Sequence, residues 1–316
     1  MQQISSKPKA IIICGPTGIG KTAFAIELAM AFQGEIIGAD SMQVYRQLDI
    51  GTAKPSPAEQ AMVAHHMVDI VDPDAPFDAE AYAEMAFAII LALEKRRVLP
   101  YVVGGTGLYI KSLIYGLFEA PPVNDSIRVR LRQAFEKVGG DTLFNRLKQV
   151  DPVTAAKLHV NDTYRVMRAL EVYEITGLPI SEFQHRHQFQ ESRLATLKLG
   201  LTMDRDRLYA RIDRRVEMMI AEGLLDEVRG LLASGYSARL KPMRSIGYRH
   251  MIDFLEGRLD WPETVQTLKR DTRRYAKRQM TWFGADTDVV WVDPVVTPDV
   301  KETIRSFLAG ASASQA

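Results

Sequence analysis

The segment AIIICGPTGIGKTAFAIELAMAF, residues 10–32, decides which fold this chain can adopt. Its apolar start predicts a buried strand, residues 15–22 form a glycine loop, and the remainder has the pattern of a helix. In such a unit successive backbone N–H groups point into one concavity, and Lys21 adds positive charge beside the helix N-terminus. The segment therefore predicts a phosphate-binding loop, with the Thr22 hydroxyl available to a phosphate-bound Mg²⁺.

The loop by itself does not identify the molecule to which the phosphate belongs. Loops of this kind occur in kinases, in NTPases and in other transferases, so several reaction classes stay open. The structural alternative is an ordinary glycine turn followed by an incidental lysine. The complete Gly-x-x-x-x-Gly-Lys-Thr spacing, between a predicted strand and a predicted helix, favours phosphate binding.

Length and composition narrow the class of protein. The chain has 316 residues, 47% hydrophobic and 25% charged, which suits one large domain with an addition, or two domains. A net charge of +1 gives no global attraction to nucleic acid, so any polyanion site must arise from local clusters. The one cysteine, Cys14, excludes an intramolecular disulfide and a cysteine-built zinc site. Because no apolar run reaches the length of a membrane span, we expect a cytoplasmic protein without a membrane partner.

Polar and glycine residues follow the next two predicted strands. GEIIGAD, residues 34–40, ends in Asp40, and LPYVVG, residues 99–104, continues into a Gly-Thr-Gly run around Thr106. Because the carboxyl ends of parallel strands lie along one edge of a sheet, we expect Asp40 and Thr106 close to the phosphate loop. The structural alternatives are a turn or helix cap for Asp40, and a tight turn before a helix for the glycines.

A charged helical block then interrupts the strands, with no strand pattern before residue 196. The residues expected to cap its helices are Asp125, Asp151, Asn161 or Asp162, and Gly177. We therefore predict an α/β protein whose parallel-sheet core comprises residues 1–115 and 196–316, with an all-helical insertion at residues 116–195.

The chain after the insertion returns to an α/β pattern. A strand is predicted first, then three long helices and a last strand, and finally a tail that we expect to be disordered. These segments are, in order, residues 196–203, 209–235, 246–257, 262–284, 288–293 and 311–316.

Basic residues cluster in this second half. Arg211, Arg214 and Arg215 recur at helical spacing, and residues 269–278 contain six basic residues with only Asp271 as an acidic neighbour. A solvated helix face is the usual explanation of such a cluster. The scarcity of acidic partners instead favours a phosphate-facing surface, and we call residues 269–278 the basic strip.

Two further patterns have ordinary structural explanations. Tyr275, Trp282 and Phe283 recur at helical spacing, and we expect them in the core rather than as platforms for stacking bases. His65 and His66 are adjacent on a predicted loop without carboxylates in an obvious ligand pattern, so we do not expect them to bind a metal.

Taken in order, these motifs resemble those of the bacterial tRNA dimethylallyltransferases, which isopentenylate N6 of the adenosine 3′ to the anticodon. The ordered series covers nearly the whole chain, and it is far more specific than the phosphate loop alone. The matching segments are GPTGIGKT (residues 15–22), DSMQVYRQLDIGTAKP (40–55), HHMVDIVDP (65–73), GGTGLYI (104–110), NDTYRVMRALEVYEITG (161–177), RSIGYR (244–249) and YAKRQMTWF (275–283).

The resemblance implies a fold like that of P-loop nucleoside-triphosphate hydrolases, with a helical insertion that binds the tRNA anticodon stem-loop. It also implies dimethylallyl diphosphate as the donor, Mg²⁺ as the cofactor and a monomeric enzyme. Asp40 would accept the N6 proton, and Thr106 would lie beside the substrates as a second catalytic residue. The residues that the resemblance places around the diphosphate are Gly15, Thr17, Gly18, Ile19, Gly20, Lys21, Thr22, which also contacts Mg²⁺, and Arg211 or Arg215.

The same resemblance predicts a surface that contacts tRNA. Its members come from the segment after Asp40, from the insertion, from the RSIGYR motif and from the basic strip. They are Asp40, Ser41, Met42, Gln43, Thr106, Arg128, Tyr164, Arg165, Arg168, Arg244, Gly247, Tyr248, Arg249, Lys277 and Arg278.

Three other functions compete with this one. A small-molecule kinase would share the phosphate loop and Asp40 but would need neither the insertion nor the basic strip. A transferase that acts on free adenine nucleotides would, by resemblance, be shorter and lack the insertion. An RNA-binding GTPase or scaffold would require a guanine-specificity motif, and no Asn-Lys-x-Asp pattern is present.

Overall fold

The structure, a computed structural model, describes residues 7–117, 124–187 and 191–310. The chain divides into two compact units. The first comprises Met1–Ile114 and Arg193–Ala316, and the second comprises Tyr115–Ser192. The tail expected at residues 311–316 lies outside the described residues.

A parallel sheet forms the centre of the first unit, with the strand order β3-β2-β4-β1-β5-β6. Its strands are β1 (Lys9–Cys14), β2 (Gly34–Gly38), β3 (His65–His66), β4 (Leu99–Gly104), β5 (Ala195–Leu201) and β6 (Val289–Val292). Ile11, Ile12 and Ile13 of β1 are fully buried, which is typical of a parallel strand covered on both faces. The predicted α/β core is confirmed, and the short strand at His65–His66 is an addition to it.

The described part of the chain contains the predicted helices and four that were not predicted, at Pro57–Met62, Ala79–Lys95, Ile180–His187 and Pro298–Ala309. In chain order the helices are α1 (Lys21–Phe32), α2 (Pro57–Met62), α3 (Ala79–Lys95), α4 (Gly107–Tyr115), α5 (Asp125–Val150), α6 (Pro152–Ala155), α7 (Thr163–Thr176), α8 (Ile180–His187), α9 (Arg205–Ala221), α10 (Leu224–Ala233), α11 (Tyr248–Leu255), α12 (Trp261–Gly284) and α13 (Pro298–Ala309). The single helix expected over residues 209–235 is wrong, because Gly223 has a φ of +98° and separates α9 from α10. None of the helices in the described part of the chain is long and apolar enough to cross a membrane.

The second unit consists of α5 to α8 around its own core, which includes Leu143, Leu147 and Leu170. Asp151 receives hydrogen bonds from the backbone N–H of Thr154 at 2.9 Å and of Ser181 at 3.0 Å, so it joins α6 to α8. These bonds hold the Asp151 carboxylate, and they lower its pKa although burial alone would raise it. The helix cap at Asp151 thus stabilises the second unit together with its apolar contacts.

The caps of the second unit match the sequence patterns with one correction. Asp162, not Asn161, caps α7, and Gly177 closes that helix with a φ of +70°. The cap of α5 is Asn124, whose Oδ1 accepts the N–H of Ile127 at 3.2 Å, rather than Asp125. Asn124 lies one residue earlier, where the extended backbone directs its side chain toward the first free N–H groups.

Two glycines provide a matched test of the packing in the first unit. A Cβ at Gly104, which ends β4, would lie 2.0 Å from the carbonyl oxygen of Ala39, whereas a Cβ at Gly230 in α10 would meet no atom within 4 Å. We expect Gly104→Ala to lower the free energy of unfolding by about 1–3 kcal/mol through overpacking. Gly230→Ala should raise it by roughly 0.5–1 kcal/mol, because alanine favours the helix. Chemical denaturation of both variants measures the difference, and equal effects would contradict the packing described here.

Candidate active site

Three glycines shape the phosphate loop between β1 and α1. Gly15, Gly18 and Gly20 have φ values of +142°, +79° and +105°, which side chains with a Cβ rarely adopt. A Cβ at Gly15 would also lie 2.9 Å from the carbonyl oxygen of Leu201 on β5. The loop therefore returns sharply over the end of the sheet, so that its N–H groups precede the N-terminus of α1.

Lys21 opens α1 and lies over this loop. Its Nζ donates hydrogen bonds to the carbonyl oxygens of Gly15 at 3.1 Å and Pro16 at 2.8 Å. Burial lowers the pKa of Lys21 to about 8, while the charge of Asp40 raises it and that of Arg215 lowers it further. Keeping the buried ammonium charged beside the concavity therefore costs free energy, and a bound anion would remove that cost.

Gln279 on α12 bridges the phosphate loop and the turn after β4. Its Oε1 accepts the N–H of Thr17 at 2.8 Å, and its Nε2 donates to the carbonyl oxygen of Gly105 at 2.9 Å. Gln279 was not among the predicted site residues, although a glutamine among the apolar positions of a helix face was a usable signal. The Thr17 amide is consequently engaged by Gln279, and the fully buried Ile19 side chain leaves only its backbone to contact phosphate.

Asp40 follows β2 and combines the two expectations for it, a turn residue and a residue close to the phosphate loop. Its Oδ1 accepts the backbone N–H of Met42 at 2.8 Å and, at 3.4 Å, that of Gln43, so it stabilises a turn. It also lines a cavity that includes Thr17. Gln43 donates its Nε2 to the carbonyl oxygens of Thr52 and Ala53 at 3.1 and 3.0 Å, which fixes the next loop against the Asp40 turn.

Thr106 begins the turn into α4 and lies against the Asp40 segment. Its N–H donates to the carbonyl oxygen of Ala39 at 3.1 Å, and its Oγ1 accepts the N–H of Ser41 at 3.0 Å. Burial raises the pKa of the Tyr275 hydroxyl, the charge of Asp40 raises it further, and the charge of Arg278 opposes the rise. The structure therefore brings Asp40 and Thr106 to one edge of the sheet.

One cavity of about 320 Å³ collects many of the predicted site residues of the first unit. Its lining includes Thr17, Asp40, Ser41, Met42, Arg215, Arg244, Gly247, Arg249, Tyr275 and Arg278. A second cavity of about 750 Å³ is lined by Gly18, Arg211 and Arg214 and shares Arg215 and Met219 with the first. Thr17 of the phosphate loop and expected RNA-facing residues such as Arg278 thus line the same cavity.

The two arginines proposed for the diphosphate have different surroundings. Arg211 is exposed, and its Nε donates to the carbonyl oxygen of Gly18 at 3.1 Å. The Nε of Arg215 is buried and has no hydrogen-bond partner among the described residues. Burial lowers the pKa of Arg215, which the charge of Asp40 opposes. Arg215 lines both cavities, which leaves its guanidinium available to an anion there.

Glu227 on α10 connects the loop at residues 49–51 to Tyr248 at the start of α11. Its carboxylate accepts the N–H groups of Asp49, Ile50 and Gly51 at 3.0, 2.8 and 3.1 Å, and it also accepts the Tyr248 hydroxyl. Tyr248 is fully buried, so its side chain has no surface to offer to RNA. This corrects the expectation of a tRNA contact, because the Tyr248 side chain supports the loop at Gly51 from within.

The basic strip has more acidic partners than its own sequence indicated. Helix α9 supplies two carboxylates, and Asp271 forms ion pairs with several cations at once. The ion pairs are Lys269–Glu217 at 2.6 Å, Arg273–Asp213 at 2.8 Å, Arg249–Asp271 at 2.5 Å, Arg270–Asp271 at 3.1 Å and Arg274–Asp271 at 3.6 Å. A carboxylate on a neighbouring helix is invisible in the sequence of the strip, which is why the expectation of unpaired charge was wrong for Lys269 and Arg273. Arg270 and Arg274 instead share Asp271, the acidic residue within the strip.

The end of the strip differs from the rest. Lys277 and Arg278 are exposed and make no ion pair with the described residues, and the Arg278 guanidinium lies 5.7 Å from the centre of the Tyr275 ring. Of the other two aromatic residues, Phe283 is buried as expected, but Trp282 is 44% exposed. Lys277 and Arg278 are therefore the cations of the strip that are free to contact a phosphate.

The second unit presents its own predicted site residues around Glu171. Arg128 and Arg168 pair with this buried carboxylate at 3.2 and 2.9 Å, and burial, which would raise its pKa, is outweighed by the bonds from Arg168 and Asn124. Arg165 pairs with Asp162 at 3.2 Å. Tyr164, by contrast, is 72% exposed, and it lines a cavity of about 90 Å³ together with Arg128 and Arg168.

The donor groups near the loop suit a magnesium ion that is held mainly by its substrate. No group of three or more His, Cys, Asp and Glu residues in the described part of the chain could hold a metal by itself. Mg²⁺ in phosphate sites commonly uses one or two protein oxygens together with phosphate and water. The Thr22 hydroxyl, in the first turn of α1 directly after Lys21, offers one such protein oxygen. His66 is engaged elsewhere, because its Nε2 pairs with Glu35 at 2.7 Å.

Similarity to known proteins agrees with this arrangement. The family model for IPP transferase matches residues 43–286. A tRNA dimethylallyltransferase of Desulfosudis oleivorans is 52% identical over 288 residues, which are 91% of this chain and 92% of that protein. The tRNA dimethylallyltransferase 2 of Syntrophus aciditrophicus is 49% identical, over 96% of this chain and 98% of that protein.

Solved structures give the same result. The tRNA isopentenylpyrophosphate transferase of Bacillus halodurans has a TM-score of 0.71 and 40% identity, covering 96% of this chain and 97% of its own. A eukaryotic dimethylallyltransferase acting on tRNA has a TM-score of 0.81 and 28% identity, covering 97% of this chain and 81% of its own. With the phosphate loop, Asp40 and Thr106 gathered at one sheet edge, these matches show that the chain belongs to the IPP transferase family, whose curated relatives are tRNA dimethylallyltransferases.

Proposed function

We propose that this chain transfers the dimethylallyl group of dimethylallyl diphosphate to N6 of the adenosine 3′ to the anticodon of tRNA, releasing pyrophosphate. The observation on which this depends is the shared cavity, whose lining includes Thr17 of the phosphate loop, Asp40 and Arg278. A diphosphate and a base can meet only where anion-binding and base-facing groups border one space. We infer that a single chain serves one tRNA in the cytoplasm.

The leaving group determines the role of the phosphate loop. As the allylic C1–O bond breaks, negative charge grows on the pyrophosphate, and preorganised donors stabilise it. The backbone N–H groups of Gly18 and Gly20, the Lys21 ammonium and the Arg215 guanidinium are the donors that we assign to it. When bound at Thr22, Mg²⁺ supplies a Lewis acid that opposes the same charge.

The nucleophile determines the role of Asp40. The adenine N6 amine is weak because its lone pair is delocalised into the ring, so a carboxylate that accepts its proton assists bond formation. Asp40 uses Oδ1 for the turn, which fixes the carboxylate at the cavity wall. We assign Thr106, which hydrogen bonds to the Ser41 N–H and the Ala39 carbonyl oxygen hold in place, to the positioning of the base. The adenine must leave its stack to enter, at a cost of a few kcal/mol.

The reaction is tested by incubating an anticodon stem-loop RNA with the chain, Mg²⁺ and dimethylallyl diphosphate, followed by mass analysis of the nucleosides. We expect a gain of one dimethylallyl unit on N6 and release of pyrophosphate. An RNA lacking the target adenosine is the control. Consumption of ATP stimulated by the RNA, without prenylation, would indicate an NTPase or a kinase and exclude the proposal.

Asp40→Asn tests the base while preserving the turn. The asparagine Oδ1 still accepts the Met42 N–H, but the amide cannot take a proton from N6. We expect kcat to fall by about 100-fold or more, the usual scale for lost general-base assistance, with little change in the affinity for dimethylallyl diphosphate. Single-turnover kinetics at saturating RNA measure this, and near-parental turnover would remove Asp40 from the mechanism.

Lys21 gives a pH prediction. Its pKa is lowered to about 8, so the unliganded ammonium is charged below that pH and neutral above it, and anion binding weakens as the pH rises through about 8. Lys21→Arg keeps its charge throughout. We expect the affinity of the parent for pyrophosphate, divided by that of Lys21→Arg, to fall between about pH 7 and about pH 9. Calorimetric titration measures both, and the ratio removes the titration of the ligand. A constant ratio would show that the Lys21 charge does not contribute.

The basic strip provides a matched pair for RNA binding. Lys277 and Arg278 are free of ion pairs in the described chain, whereas Arg273 is paired with Asp213. We expect Lys277→Gln and Arg278→Gln to raise the KM for tRNA and to reduce the slope of log K against log salt by about 0.7–0.9 for each lost phosphate contact. Arg273→Gln should leave that slope unchanged. The rate at saturating tRNA should stay near that of the parent.

A salt series of filter-binding measurements distinguishes the two sets of variants. Equal slopes in the parent and in both the Lys277 and Arg278 variants would show that the end of the strip is a solvated surface. The RNA contacts of the first unit would then have to come from residues such as Arg244, which is exposed and lines the smaller cavity.

A further inference from the structure

We propose that Gln279 is a positioning residue that sets the separation between the phosphate loop and the turn containing Thr106. The proposal rests on the transfer reaction proposed above and deepens it. Gln279 would hold the diphosphate site and the adenine site at a fixed separation. It does not itself contact a reacting atom.

The hydrogen bonds of Gln279 reach two separate parts of the site. Its Oε1 accepts the Thr17 N–H at 2.8 Å, and its Nε2 donates to the Gly105 carbonyl oxygen at 2.9 Å. Gln279 is 6% exposed; its bond to Gly105 is buried, and its bond to Thr17 is partly buried. In that setting an unpaired N–H or carbonyl is costly, and both partners are held firmly as long as the amide is present.

Close packing makes this bridge specific. A Cβ at Gly105 would lie 2.1 Å from the Gln279 Nε2, so only glycine allows the amide to approach the turn. A Cβ at Gly107 would similarly lie 2.0 Å from the Trp282 Nε1. The glycines of this turn are therefore required by the side chains of α12, in addition to the turn itself.

One face of α12 contacts three consecutive residues of the turn. Tyr275 lies beside Thr106, Gln279 bonds with Gly105, and Trp282 lies against Gly107. Positions separated by four and three residues share a helix face, so these contacts act as a single template. Of the three, Gln279 alone also bonds to the phosphate loop, through the Thr17 N–H.

The chemistry explains why the separation matters. The diphosphate in the loop fixes the allylic carbon, while Asp40 and Thr106 fix the adenine amine. Displacement requires the two atoms to be in line and close, and a misplacement of about 1 Å can cost about 100-fold in rate. The bridge needs one acceptor and one donor at the end of a side chain of this length, which a primary amide supplies.

The experiment compares the full-length parent with Gln279→Met and with Gln266→Met, an exposed glutamine on the same helix. Methionine retains the length of the side chain and removes both hydrogen bonds. We expect Gln279→Met to lower kcat about 100-fold, with the KM for tRNA within about twofold of the parent because the RNA-facing cations are unchanged. Gln266→Met should retain the parental kcat.

A purely structural role predicts another pattern. Gln279→Met would then lose thermal stability, and kcat and the KM for tRNA would change together in proportion to the unfolded fraction. Thermal melting of each variant, with kcat expressed per folded molecule, separates the two. A parental kcat per folded molecule would overturn the proposal.

Gln279→Glu supplies a readout that also works if the methionine variant folds poorly. The ionised carboxylate still accepts the Thr17 N–H but places an oxygen against the Gly105 carbonyl. A protonated carboxyl group has one donor and one acceptor, as the amide has. We therefore expect the kcat of Gln279→Glu, divided by that of the parent at the same pH, to rise as the pH falls from about 8 to about 5.5. A flat ratio would contradict the bridging role.

Dividing by the parent removes the titration of the neighbouring groups. The ionisable groups that border this region are Lys21 on the loop, Asp40 after β2, Arg215 on α9, and Tyr275 and Arg278 on α12. All of them are present in parent and variants alike. The ratio for the methionine variant should remain constant over the same range, because that side chain does not ionise.

The outcomes also distinguish this proposal from the function on which it rests. If the parent does not prenylate the RNA, the proposed function fails. If the parent does so and both Gln279 variants match Gln266→Met at every pH, the reaction stands and the positioning role of Gln279 is excluded.

Discussion

The register of β1 is the constraint on which the site depends. Cys14 pairs with Gly104 of β4 on one side and with Gly200 of β5 on the other, so three parallel strands end at the same level. The phosphate loop, the Thr106 turn and the segment before α9 therefore all begin from one edge. A shift of one residue would move each buried isoleucine of β1 to the opposite face of the sheet and would displace the phosphate loop from the ends of β4 and β5, so the apolar core and the active edge are fixed by the same pairing.

Electrostatics at that edge follows from burial. Lys21 and Arg215 both have lowered pKa values because they are withdrawn from water, and Asp40 is the anion that opposes the shift for each. Two cations and one carboxylate leave an excess of positive charge where a diphosphate is expected. The protein thus maintains an unfavourable local charge that its substrate would relieve, and this arrangement favours an anion over water.

Local sequence predicted the parts of the structure that depend on local physics. The phosphate loop, the caps at Asp151 and Gly177 and the placement of Asp40 beside Thr106 all follow from short-range spacing and from the rule for parallel strands. What could not be predicted depends on contacts between distant elements. Gln279 meets Thr17 across 262 positions of the chain, and the partners of the basic strip lie on α9. The burial of Tyr248 has the same origin, because Glu227 accepts its hydroxyl from another helix.

Glu227 has a further consequence for ligand selectivity. Three consecutive N–H groups, those of Asp49, Ile50 and Gly51, converge on one carboxylate; Asp49 and Ile50 line the larger cavity and Gly51 the smaller. Converging backbone amides attract anions wherever they are left open. Here the chain fills that point with its own carboxylate. A phosphate therefore cannot bind to these amides, and they do not compete with the glycine loop for the diphosphate.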